Sequence, residues 1–125
     1  VPVESRCITD DEISAWAEAM RVGFLSHAED EFADVMRADL DLDRTRGAFE
    51  GDRVVGTLRS FAAELTVPGG TATCSALTNV TVSGTHPRRG LLSVMLAADL
   101  AESAARGEVV SALIAADYPI YGRFG

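Results

Sequence analysis

Thr78 to Met95 is the stretch of this sequence with the most chemistry in it: Thr-Asn-Val-Thr-Val-Ser-Gly-Thr-His-Pro-Arg-Arg-Gly-Leu-Leu-Ser-Val-Met. It reads as a strand that ends in a glycine-containing loop and passes directly into a helix, with Arg88, Arg89 and Gly90 at the crossing. Such a turn leaves several backbone N–H groups unpaired and pointing one way, at the positive end of the helix dipole, an arrangement that holds phosphate oxygens. Two cations at a helix N-terminus are mildly destabilising without an anion, which speaks against simple surface decoration. Two phosphate loops are excluded by residue type. A Gly-x-x-x-x-Gly-Lys-Ser/Thr loop needs a lysine, and the chain contains none. A dinucleotide fingerprint needs three glycines near the turn, and only Gly84 and Gly90 are available.

Metal chemistry finds no support. Cys7 and Cys74 lie in strand-like apolar runs without a CxxC or HxxxH partner, so they read as free thiols, joined only if their strands meet. Asp39, Asp41 and Asp43 are spaced like part of a calcium loop, but the following Gly and the distal Glu are missing. They and Arg44 read as a solvated helix exit. Eleven basic and 19 acidic residues give a net charge of −8. That repels nucleic acid and favours a cationic partner, and it also serves solubility. No apolar run reaches the roughly 20 residues of a membrane span. Val1 to Arg6 lacks the form of a signal peptide, so a soluble, cytoplasmic protein with no membrane partner is expected.

The elements that must position the turn follow from spacing. Val3 to Ile8 alternates weakly and ends at Thr9, whose spacing with Glu12 is that of a capping box. Ile13, Trp16, Ala17, Met20 and Phe24 then recur at helical steps. Ser26 and Glu29 repeat the box before a second helix carrying Phe32, Val35, Met36 and Leu40. Ala48-Phe49 and Val54–Val67 flank turn residues Glu50 to Arg53, and Pro68-Gly69-Gly70 makes the next turn. From Thr71 to Val82 the period is two, placing Ala72, Cys74, Ala76, Thr78, Val80 and Val82 on one face. A helix from about Gly90 to Arg106 presents Leu92, Met95, Leu96 and Leu100 to the sheet, with Gly107 as its cap. Val109 to Ala115 is a short strand parallel to Thr71–Val82. The order β-α-α-β-β-β-α-β predicts one three-layer α/β (α+β) domain with a mixed, mostly antiparallel sheet and helices on both faces.

That order is also the order of a GNAT acyltransferase domain, in which a turn of the form Arg/Gln-x-x-Gly-x-Gly/Ala cradles the pyrophosphate of coenzyme A. Pro87-Arg88-Arg89-Gly90-Leu91-Leu92 stands in that frame, matching at the fourth position and departing at the first and sixth. Leu65 to Gly69, Val80 to Val82, Thr85-His86, Arg88 to Leu92 and above all Ile120-Tyr121-Gly122-Arg123-Phe124-Gly125 resemble the Eis (enhanced intracellular survival) family of GNAT N-acetyltransferases. The match runs from about Phe49 to the end.

The resemblance implies a GNAT fold with acetyl-CoA as cosubstrate and no metal. By it, Val80, Thr81 and Val82 bind the pantetheine arm and acetyl group. Arg88, Arg89, Gly90, Leu91, Leu92 and Ser93 cradle the pyrophosphate, and Ala116 and Asp117 border the coenzyme. Tyr121 is the general acid that reprotonates the departing thiolate. Family members acetylate amines, among them aminoglycosides and protein lysines. They carry two tandem GNAT regions and a sterol-carrier-like domain, and assemble as hexamers. Residues 1–125 thus read as a single, C-terminally truncated GNAT domain of a homo-oligomer, and the stop after Tyr-Gly-Arg-Phe-Gly fits that reading. The family's base relay, a distant C-terminal carboxylate, lies beyond it. Pro87 replaces an Arg and Ala116 a Ser; neither change removes an amide from Arg88 to Leu92.

Alternatives remain at several positions. Tyr118 is a second proton donor, His86 a second phosphate contact, and Glu64 a candidate base. An unperturbed phenol, with pKa about 10, is protonated at neutral pH and suits the acid role. A rival function is a non-catalytic acyl-CoA-binding module, regulatory or structural.

Overall fold

Thr9 opens the first helical segment, as its spacing predicts. In the computed structural model, which describes residues 2–23, 38–83, 90–114, 121, 122 and 124, the Glu12 carboxylate accepts the Thr9 backbone N–H at 2.9 Å. One donor orphaned at the helix start is thereby satisfied. Arg6 clasps the same carboxylate at 2.8 and 2.7 Å. A short 3-10 turn, Asp10–Glu12, leads into helix α1 (Ile13–Gly23), whose buried stripe is Ile13, Trp16, Ala17 and Met20. Phe24, and the second helix expected from Ser26 up to residue 37, lie outside the described residues.

Strands β1 (Val3–Cys7), β2 (Thr45–Glu50), β3 (Arg53–Val67) and β4 (Gly70–Val82) pair antiparallel in succession. Helix α2 (Leu91–Ala105) then carries the chain to β5 (Val110–Ala112), which pairs parallel with β4. The sheet order is β1-β2-β3-β4-β5. The turns fall at Gly51-Asp52 and Pro68-Gly69, and after α2 the Gly107 N–H bonds to the Ala104 carbonyl, as a terminating glycine should. The fold is the mixed, mostly antiparallel α/β architecture that the element order predicts. Cys7 and Cys74 are free thiols on strands separated by two others. Among the described residues no helix is long and apolar enough to cross a membrane.

Ala48 and Phe49 are adjacent on β2 and so point to opposite faces. Phe49 packs with Ile13, Trp16 and Met20 of α1, while Ala48 packs with Met95 and Leu96 of α2. The sheet is therefore the middle of three layers. Trp16, fully buried, also donates its indole N–H to the Arg46 carbonyl at 2.9 Å, tying α1 to β2 by a bond as well as by burial. In the first turn of α2 the buried leucine is Leu91, whereas Leu92, expected to face the sheet, is half-buried.

Beyond its apolar first half, α2 meets the sheet through charge. Asp39, Asp41 and Asp43 are exposed as expected, and Asp41 accepts the Asp43 N–H at 3.0 Å to cap a 3-10 turn, Leu42–Arg44. Arg44 departs from the solvated exit that the sequence suggests. Its side chain is 8% exposed and pairs with Glu108, 3% exposed, at 2.9 Å. A second contact at 3.3 Å makes the pair bidentate, and Ser75 accepts from the same guanidinium at 3.2 Å. Arg106 reaches Glu108 at 3.0 Å, and Arg46 binds Glu102 of α2 at 2.7 Å. A charge in this position needs partners on several sides, since an uncompensated buried ion is strongly destabilising. The network ties β2 to the α2–β5 connection and so fixes where β5 begins.

Candidate active site

The strand that the sequence singles out is not regular. Its pairing with β3 shifts between Thr57 and Arg59, where Thr57 faces Thr81 but Arg59 faces Thr78. Two residues of β4, Asn79 and Val80, thus oppose the single Leu58. Asn79 takes the left-handed conformation, φ 55°. This is a β-bulge, and it reverses the alternation of the strand. Ala72, Cys74 and Ala76 lie opposite Leu65, Ala63 and Phe61, on the face away from α2. Val80 and Val82 instead join Leu77 in the cluster under α2. The single face expected to run from Ala72 to Val82 is therefore broken at Asn79, and Thr81 is turned toward α1.

The bulge coincides with a parting of strands. β5 pairs with β4 only where Val110, Ser111 and Ala112 face Cys74, Ser75 and Ala76. From Leu77 onward the outer edge of β4 has no strand partner among the described residues, and a strand edge of this kind can pair with an extended ligand. A cavity of about 500 Å³ opens at this parting, lined by Phe61, Asn79, Val80, Ala112, Ile114 and Tyr121 among others. Tyr121 is half-buried and packs into the same cluster as Leu91, Met95 and Val80. The lining is mostly apolar, and it places Tyr121 beside the strand edge.

The start of α2 supplies the anion-facing end. Gly90, at φ 68°, is its N-cap residue, with no side chain completing the cap. That conformation favours glycine, and a Cβ there would meet nothing within 4 Å among the described residues, so the demand shown is one of backbone geometry. The first helical bond runs from the Val94 N–H to the Gly90 carbonyl at 3.1 Å. The N–H groups of Leu91, Leu92 and Ser93 precede it and have no intrahelical acceptor. The first turn carries no acidic residue, although the chain is strongly acidic overall. This donor set fits a diphosphate, and the outer edge of β4 beyond β5 fits an amide-bearing arm.

Of the residues expected at the site, Val80, Thr81, Val82, Gly90, Leu91, Leu92, Ser93 and Tyr121 are described. The structure brings Val80 and Tyr121 to one cavity. Arg88, Arg89, Ala116 and Asp117 lie outside the described residues, as do His86 and Tyr118. Glu64 is exposed, opposite Thr73 on the β3–β4 hairpin beyond the end of β2, and does not line the cavity. A larger cavity of about 720 Å³ lies on the α1 side, where Thr81, Val82 and Ser83 meet Val22 and Gly23. Among the described residues no cluster of His, Cys, Asp or Glu could hold a metal ion.

The description of an Acetyltransferase (GNAT) domain matches residues 4–125. The chain belongs to this family. An uncharacterized N-acetyltransferase of Streptomyces griseus is 53% identical over 127 residues, covering 98% of this chain and 30% of that relative. The chain thus spans less than a third of such relatives. The crystal structure of Eis1 from Mycobacterium abscessus superposes with a TM-score of 0.84 at 30% identity, over 98% of this chain and 30% of that one. The resemblance of the sequence to Eis enzymes extends to structure. A predicted acetyltransferase of Clostridium acetobutylicum, solved with acetyl-CoA, shares the GNAT fold at a TM-score of 0.83 and 18% identity, over 99% of this chain and 89% of that one. The sequence singles out Thr81 but neither the Asn79 bulge nor Thr57, whose hydroxyl meets that of Thr81. A lone Asn in a run of alternating residues was the only available signal, since Asn tolerates the left-handed region better than its neighbours.

Proposed function

We propose that this chain is the N-terminal, acetyl-CoA-dependent catalytic region of an Eis-like N-acetyltransferase acting on an amine. The observation that carries the reading is the parting of β4 from β5, where the outer edge of β4, the cavity and Tyr121 meet. Val80, Thr81 and Val82 hold the peptide-like pantetheine arm by their backbone. The amides from Leu91 to Ser93, with Arg88, Arg89 and Gly90, hold the pyrophosphate, and Ala116 and Asp117 border the coenzyme. Bound acetyl-CoA supplies a thioester-activated acetyl group, which a neutral amine attacks directly. Fixed backbone donors around Val82 stabilise the charge that develops on the carbonyl oxygen, and they need no reorganisation as it does so. Tyr121 holds the proton that the departing sulfur takes up.

The acceptor is a cationic amine, such as an aminoglycoside, a polyamine or a lysine side chain. A net charge of −8 supports this class by drawing cations at long range. The general base is supplied from beyond residues 1–125, in a larger cytoplasmic homo-oligomer. Titration calorimetry with acetyl-CoA, paired with a thiol-release assay over a panel of amines, tests the reading. Binding with amine-dependent thiol release is expected. Binding with no release over the whole panel would favour a non-catalytic acyl-CoA-binding module, and absence of binding would remove both.

A further inference from the structure

Thr57 and Thr81 oppose each other across β3 and β4, and both are buried. Thr57 donates its hydroxyl to the Asn79 carbonyl at 2.7 Å, and the two threonine hydroxyls lie 2.6 Å apart. A hydroxyl has one proton to give. With that of Thr57 spent on the Asn79 carbonyl, the short contact is filled by Thr81 donating to Thr57. The result is a directed chain, Thr81 to Thr57 to Asn79, that spans the bulge from within the sheet.

The bulge creates the need for it. With Asn79 in the left-handed region, the register of the ladder shifts between Thr57 and Arg59, and the Asn79 carbonyl accepts the Thr57 hydroxyl. A valine at 57 would fit a strand equally well by shape and would leave that carbonyl without this donor. The other side of Thr81 is closed by α1. An added Cβ on Gly23, the last described residue of that helix, would stand 2.6 Å from Thr81 Cβ, closer than side chains approach. Thr81 is thereby held between the helix end and the hydroxyl of Thr57, with Val80 and Val82 on either side of it in the chain.

We propose that the Thr57–Thr81 hydroxyl pair is a positioning device for acetyl-CoA. By locking the Asn79 bulge, it fixes the direction in which the Val80–Val82 backbone faces the gap beside β5. This inference rests on the reading of Val80 to Val82 as the coenzyme-binding strand. Thr57 is a positioning residue, since it lies inside the sheet and acts through Asn79.

The test compares Thr57→Val with Thr57→Ser in acetyl-CoA affinity, in KM for each substrate, and in amide hydrogen exchange across Asn79–Ser83. Thr57→Val should weaken acetyl-CoA binding roughly tenfold, the size of one buried hydrogen bond left unmade. It should leave the acceptor KM within about twofold and speed exchange across the bulge. Thr57→Ser, which keeps the hydroxyl, should restore affinity to within about twofold of the wild type. A folded Thr57→Val protein that binds acetyl-CoA like the wild type overturns the proposal, as does a Thr57→Ser protein as weak as Thr57→Val. If Thr57→Val does not fold, Gly23→Ala takes its place. It drives a methyl group into Thr81 and so displaces it; assayed well below its melting temperature, the folded variant should bind acetyl-CoA more weakly than the wild type, and unchanged affinity overturns the proposal. A wild-type protein that does not bind acetyl-CoA at all overturns the coenzyme reading itself, a result distinct from any variant effect.

Discussion

Replacing Glu108 by Gln tests the buried charge that anchors β5. The change is nearly isosteric, so its effect is electrical. The Arg44 guanidinium, 8% exposed, loses the carboxylate that meets it at 2.9 and 3.3 Å. Its Nε has no hydrogen-bond partner among the described residues, which leaves little to compensate. Breaking a buried pair by removing one partner costs about 3–5 kcal/mol. The Gln amide oxygen retains one contact, so the low end applies, about 3 kcal/mol, or on the order of 10 °C in Tm. Burial alone would raise the Glu108 pKa, but hydrogen bonds from Arg44 and Arg106 outweigh it and hold the pKa below the ordinary carboxylate range. The stabilisation is therefore complete above the unfolded-state pKa of about 4.3 and disappears as pH falls through the lower folded value. Urea unfolding should show the full deficit at pH 7 and a shrinking one under acid conditions. The double variant Arg44→Met, Glu108→Leu should recover to within about 1 kcal/mol of the wild type, because an apolar pair carries no desolvation penalty. A deficit below about 1 kcal/mol at pH 7, or a double variant no better than the single, would refute this account of the network.

Three further outcomes follow from the fold. The Arg6 hydrogen bonds hold the Glu12 pKa down to about 2, and the Glu12 side chain is 22% exposed. Stability from this pair should be lost as pH falls from about 4.3 toward that value, and Arg6→Ala should return the carboxyl to its ordinary range in an NMR titration, at a cost of about 1–2 kcal/mol at pH 7. Trp16→Phe keeps an aromatic ring in the α1 core but leaves the Arg46 carbonyl without its donor; urea unfolding should show a loss of about 1–3 kcal/mol, and a neutral result would mean that the indole bond contributes nothing. Gly90→Ala places a side chain at φ 68° with nothing within 4 Å among the described residues, so thermal unfolding should register the backbone penalty, about 1 kcal/mol.

The layers of this fold are legible where burial follows period. Ile13, Trp16, Ala17 and Met20 announce α1, the turn residues Gly51-Asp52 and Pro68-Gly69 separate β2, β3 and β4, and Gly107 ends α2. Reading stops where one residue changes the period. Asn79 shifts the register of β4 by one, and Val80 and Val82 change faces with nothing in the alternation to show it. Leu91 and Leu92 are indistinguishable by type, and only the N-cap position of Gly90 sets which faces the sheet. Arg44 stands in an acidic run that looks solvated, while its partner Glu108 lies 64 residues away. Long-range charge pairing leaves no local spacing to read. The site is legible to the same degree: the strand, the helix start and Tyr121 are visible in sequence, but the parting of β4 from β5 that joins them is a tertiary feature.

Tyr121→Phe tests the central claim most directly. The phenylalanine keeps the ring that packs against the cluster containing Leu91 and Met95 and removes only the hydroxyl. Measured together by calorimetry and amine-dependent thiol release, the variant should bind acetyl-CoA within about twofold of the wild type while kcat falls on the order of 100-fold, the scale of a lost general acid. Unchanged turnover in a folded Tyr121→Phe protein would contradict the account.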